Sequence, residues 1–106
     1  MRFAELKQST DKSELTAPAA IHKVDPAYPP ELIRARVEGT VLLYAVIHSD
    51  GTVGQVRVLR GIDDTLDENA RIALSRWHFR PATKNGAPVD LEAVVQIPFA
   101  VRKVPF

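Results

Sequence analysis

The hydrophobic positions change rhythm as the chain proceeds. Leu32, Ile33, Ala35 and Val37 form the apolar stripe of a short helix. Pro30 suits its first position, where a missing N–H is no loss, and Gly39 is placed to end it as a left-handed residue. From residue 41 the period becomes two. Val41, Leu43, Ala45 and Ile47 fall on one side of an extended chain, and Leu42, Tyr44 and Val46 on the other. A strand apolar on both faces is usually central in its sheet. Ser49-Asp50-Gly51-Thr52 predicts a hairpin turn, with Gly51 supplying a positive φ. Residues 53–60 return as a strand, Val56 and Val58 facing one way and Gln55 and Arg57 the other.

Helical spacing resumes after Gly61. Thr65-Leu66-Asp67-Glu68 reads as a capping box, in which the Thr65 hydroxyl accepts from the Glu68 amide while Glu68 reaches back. Leu66, Ala70, Ala73, Leu74 and Trp77 follow at helical spacing, and Pro81 stops the helix. Trp77 reads as a core ring laid on the sheet rather than a ligand contact. After the turn-rich stretch Lys84-Asn85-Gly86-Ala87-Pro88, residues 89–99 alternate. Val89, Leu91, Ala93, Val95, Ile97 and Phe99 point to the core, and Asp90, Glu92, Val94 and Gln96 away from it. Pro98 cannot donate to a ladder, which favours an edge position for this strand.

The order helix, strand, strand, helix, strand gives an α+β fold: two helices packed on one face of a three-stranded antiparallel sheet, with residues 41–47 central. The expected core is Val41, Leu43, Val56, Val58, Leu74, Trp77 and Phe79. A polar leader or linker is expected over residues 1–21, either loosely ordered or docked as an extra strand or helix, and the domain proper over 22–106.

Composition narrows the chemistry. The 106 residues are 45% hydrophobic and 25% charged, enough for one modest core. Fourteen basic and thirteen acidic residues are interspersed, for a net charge of +1, so no clustered basic face marks a nucleic-acid binder. The absence of cysteine excludes disulfides, thiolate nucleophiles and Cys-based zinc sites. His22, His48 and His78 lack metal-ligand spacing, and no serine sits in a nucleophile elbow. Asp63, Asp64, Asp67 and Glu68 cluster where a helix N-terminus accounts for them. The first twenty residues contain no apolar run of signal-peptide or membrane-span length. The pattern calls for neither catalysis nor a cofactor. Binding through the fold remains: an edge strand at 89–99 could pair with an extended peptide by β-augmentation. The second apolar face of residues 41–47 could be covered by the leader or by another copy, as a homodimer.

Asp25-Pro26-Ala27-Tyr28-Pro29-Pro30 holds one aromatic ring rigidly ahead of the first helix. Tyr28 can be a hydrophobic staple on that helix or sheet, or a wall beside a bound peptide. The motifs together favour a family. Tyr28-Pro29 before the helix, Gly39 with Val41, Asp50-Gly51 followed by Val56 and Val58, and Trp77-His78-Phe79-Arg80-Pro81 resemble the C-terminal domain of the TonB family of energy transducers, over about residues 26–99.

The resemblance implies the periplasmic domain of a protein anchored in the bacterial inner membrane, with the anchor helix and a proline-rich spacer outside this sequence. It implies a proton-driven motor complex as one partner and the TonB box of outer-membrane transporters as the other. The TonB box would add a strand beside Val89, Asp90, Leu91, Glu92, Ala93, Val94, Val95, Gln96 and Ile97, with Pro26, Ala27, Tyr28 and Pro29 close by. The work transmitted would admit nutrients such as iron chelates. The alternative is a structural or self-associating envelope module, similar to TolA or appended to a membrane sensor.

Overall fold

The computed structural model describes residues 2–6 and 14–101. Its elements run β1 (Arg2–Leu6), β2 (Leu15–Thr16), β3 (Ala19–His22), α1 (Pro30–Arg34), β4 (Gly39–Ile47), β5 (Val53–Arg60), α2 (Asp64–Ser75), β6 (His78–Arg80), β7 (Ala82–Lys84), β8 (Ala87–Val89) and β9 (Leu91–Phe99). The α+β class stands, but the sheet is larger than the pattern predicts. Its order is β1-β9-β4-β5, with every neighbouring pair antiparallel. Two small sheets, β2-β7-β8 and β3-β6, flank it.

The strict alternation in β4 and β9 explains their pairing. Val41, Leu43, Ala45 and Ile47 are fully buried, as is Val95, and Ala93 and Ile97 nearly so. Each large side chain so buried contributes roughly 1.5–3 kcal/mol. A one-residue slip would turn the whole set to the other face, so the register is held from Gly39 opposite Phe99 to Ile47 opposite Leu91 without a shift. Leu66, Ala70 and Leu74 of α2 complete this core with Trp77 and Phe79. Val56 and Val58 are half-buried and pack against it.

Several local expectations are corrected. The N-cap of α2 is Asp63, not Thr65: its carboxylate accepts from the Leu66 amide at 3.1 Å. Asp67 reaches back to the Ile62 amide at 2.9 Å, so the reciprocal arrangement forms with aspartates, and Glu68 pairs with Arg71 instead. The helix ends at Ser75, ahead of Trp77 and well before Pro81. What draws the chain out is β3, which pairs Ala20 with Phe79. The left-handed residue closing α1 is Arg36 (φ 54°), not Gly39. Its amide donates to Ile33 and the Val37 amide to Leu32, both at 3.0 Å, the two bonds of a Schellman motif.

Within residues 1–22, β1 pairs with β9, β2 with β7 and β3 with β6. Residues 1 and 7–13 of the leader lie outside the described residues. The last strand begins at Leu91 and is not an edge, because β1 lies beyond it. Pro98 pairs opposite Thr40, past the stretch that β1 covers.

Candidate functional site

The two strands that flank β4 in the sheet, β5 and β9, are built differently. β5 is broken by register shifts between Leu42 and Leu43 and between Tyr44 and Val46 of its partner. At the second shift Gln55 takes a positive φ of 52°. Bulges of this kind twist an edge away from further pairing. β9 is straight and regular over nine residues. Its outer row of backbone groups carries β1. Arg2, Phe3, Glu5 and Leu6 pair with Gln96, Val95, Val94 and Ala93.

The expected partner-binding residues separate into groups. Leu91, Glu92, Ala93, Val94, Val95, Gln96 and Ile97 lie on β9. Leu91, Ala93, Val95 and Ile97 are buried beneath the helices, and Glu92, Val94 and Gln96 are half-buried on the opposite face. There Glu92 accepts from the Tyr44 hydroxyl at 2.8 Å, and the Arg57 guanidinium lies 4.5 Å over the Tyr44 ring. Part of the apolar second face of β4 is thus engaged within the chain. Val89 ends β8 opposite Ala82, and Asp90 sits in the corner between β8 and β9. The Asp90 carboxylate accepts from the Ser49 amide at 2.7 Å and lies 3.7 Å from His48 Nδ1, tying that corner to the β4–β5 hairpin.

The proline segment divides as well. Pro26 and Ala27 lie against α2: Asn69 donates to the Ala27 carbonyl at 2.8 Å. With Val24, Asp25, Ile72 and Arg76 they line a cleft of about 160 Å³. Pro29 is the N-cap of α1. Tyr28 alone reaches β9. Its ring meets Phe99 edge-on at 5.2 Å, and its hydroxyl donates to the Val37 carbonyl at 2.7 Å. Desolvation, and then the nearby Glu38 carboxylate, push that hydroxyl above its ordinary pKa of 10.0. Tyr28 therefore ties the Schellman end of α1 to the end of β9, a structural strut beside the strand-accepting edge. Sequence reading missed Phe99 and Val37 as its partners.

The aromatic pair of the last motif is structural too. Trp77 donates from Nε1 to the Val24 carbonyl at 2.9 Å, and its ring lies 6.0 Å from Phe79. The Phe79 amide donates to the Gly51 carbonyl at 2.9 Å. A Cβ on Gly51 would stand 2.3 Å from the Phe79 carbonyl, so the glycine is needed for close approach as well as for its φ of 89°. Among the described residues no group of three or more His, Cys, Asp or Glu is placed to hold a metal ion. No helix among them is long and apolar enough to cross a membrane.

The fold is a small α+β module in which β9 is paired on both sides. Comparison with known proteins supplies the family. The family of the Gram-negative bacterial TonB protein C-terminal region matches residues 24–101, and the chain belongs to it. Protein TonB of Pseudomonas aeruginosa is 30% identical over 83 residues, covering 76% of this chain and 24% of the relative. Protein TonB of Xanthomonas campestris pv. campestris is 34% identical over 77 residues, covering 72% of this chain and 34% of the relative. The chain thus spans about a quarter to a third of these proteins' length. The solution NMR structure of the Pseudomonas aeruginosa TonB CTD superposes with a TM-score of 0.70 at 23% identity, covering 96% of this chain and all of that one. That likeness shows the fold.

Proposed function

We propose that this domain is the periplasmic adaptor of a TonB-type energy transducer. It grips the TonB box of outer-membrane transporters by strand addition and passes on work derived from the proton-motive force. The carrying observation is the outer row of β9 backbone groups, which takes β1 as an added strand at residues 93–96 on a strand otherwise held in unbroken register by β4. Family membership supports the same reading. The role is mechanical and non-enzymatic: the domain supplies a ladder of backbone bonds, each net about 0.5–1.5 kcal/mol, and pulls through them. The transducer would be anchored in the inner membrane and coupled there to a proton-driven motor, with uptake of scarce nutrients such as iron chelates as the outcome.

Titration of the labelled domain with TonB-box peptides from the source organism's transporters tests this by NMR. The expected amide shifts centre on residues 91–97, with a smaller response near Tyr28 and Phe99. Shifts confined to other surfaces, or none across the whole panel, would count against it.

A further inference from the structure

The edge that this function requires already carries a strand of the same chain. β1 pairs with β9 at residues 93–96 and nowhere else along it. An antiparallel or parallel newcomer would need the same row of N–H and C=O groups, and a backbone group aligned in one ladder cannot serve a second. We propose that Arg2–Leu6 is a tethered occupant of the docking edge, so that β1 and any second strand exclude one another. The proposal rests on reading β9 as the docking edge.

The geometry makes this occupant exchangeable. Whereas β4 pairs with β9 over its full length, β1 is five residues long and loses register between Phe3 and Glu5. A bulge leaves its extra residue unpaired and disrupts the ladder locally. Among the described residues, Leu91, Ile97, Pro98 and Phe99 lie outside the β1 pairing, a foothold from which another strand can begin to pair. Its apolar residues hold specific register positions, Phe3 opposite buried Val95 and Leu6 opposite buried Ala93. A strand joined covalently to the domain competes at an effective concentration on the order of millimolar, so even a short, imperfect one keeps the edge covered. Covering it also removes an aggregation hazard.

The test uses the full chain and a variant carrying Phe3→Pro with Glu5→Pro, which removes two donors from β1. Retained cross-strand contacts between β4 and β9 verify that the variant is folded. Without peptide, amides at residues 93–96 should shift and exchange faster in the variant than in the wild type. A synthetic peptide of residues 1–8 should bind the variant at those positions. It should bind the wild type about tenfold more weakly, the factor for an edge that is about 90% self-occupied. TonB-box peptides should show the same preference. Unchanged amides in the variant, or equal affinities of the residue 1–8 peptide for the two chains, would overturn the tethered occupant. If both expectations hold while TonB-box peptides bypass β9, the self-occupied edge stands and the transporter reading falls.

Discussion

β9 has two sides, and they are held in different ways. Toward β4 it keeps register over its whole length, and on one face of that seam Val41, Leu43, Ala45, Ile47 and Val95 are fully buried. Toward β1 it is paired over residues 93–96 and the ladder is bulged. The backbone chemistry is the same on both sides. What differs is the extent and regularity of the pairing, nine residue pairs in unbroken register toward β4 against four pairs interrupted by a shift toward β1. A backbone hydrogen bond nets about 1 kcal/mol, against roughly 1.5–3 kcal/mol for each large side chain buried. The inner seam of β9 combines both contributions.

The sharpest way to break this contrast is to weaken the inner seam. Leu43 is fully buried and pairs opposite Val95. Leu43→Ala should destabilise the domain by about 2–5 kcal/mol in urea unfolding, through lost transfer energy and the cavity left behind. Under conditions where the variant remains folded, its affinity for a strand added at the outer edge should change less than twofold. A small stability loss coupled to a large affinity loss would mean that the two sides of β9 are not separable. The same logic disqualifies Val95→Pro as a clean probe of docking, because Val95 is fully buried and the substitution would damage the core first.

Tyr28 stands between the two regimes. It touches Phe99, which β4 pairs and β1 leaves uncovered, and it holds the end of α1 through Val37. Tyr28→Phe removes only the hydroxyl and should lower stability by about 1 kcal/mol. Tyr28→Ala also removes the ring, and its loss should be at least twice as large. If Tyr28 acts solely as a strut, both variants, where folded, bind an added strand with nearly wild-type affinity in a titration. A marked weakening by Tyr28→Ala alone would assign the ring a direct contact with the docked segment.

The contrast also explains what was legible in the sequence. β4 and β9 announced themselves because one buried face imposes a strict period of two. β1 did not, because the shift between Phe3 and Glu5 breaks that period within five residues, and its partners lie at the far end of the chain. The placement of residues 91–97 on one strand was readable from alternation. Its apparent freedom as an edge was not, since edge status depends on which distant segment returns. At α2, Asp63 and Thr65 are both good capping residues, and local preference could not rank them. The choice falls to Asp63 because Asp67, on the same turn, can satisfy the amides of Ile62 and Asp63. Tyr28 was flagged by its prolines, yet its role is set by Phe99, remote in sequence.

The smallest expected effect lies at the hairpin that joins β4 to β5, away from the β1–β9 ladder. Asp50 accepts from the Thr52 hydroxyl at 2.6 Å and from the Thr52 amide at 3.0 Å. These bonds, led by the side-chain one and aided by His48, hold its carboxyl below the ordinary aspartate value of 3.8. A depressed carboxylate contributes stability that is present above its unfolded pKa and lost as pH falls through its folded one. Asp50→Ala should therefore cost a little stability at neutral pH, and the gap to wild type should close as the pH drops below about 4. Paired urea titrations across that range would show it. Because the tip is joined to Phe79 through Gly51 rather than to β1, acid loosening here should leave exchange at residues 93–96 unchanged. Acid-induced exposure of those amides in wild type but not in Asp50→Ala would instead link the tip to the outer ladder.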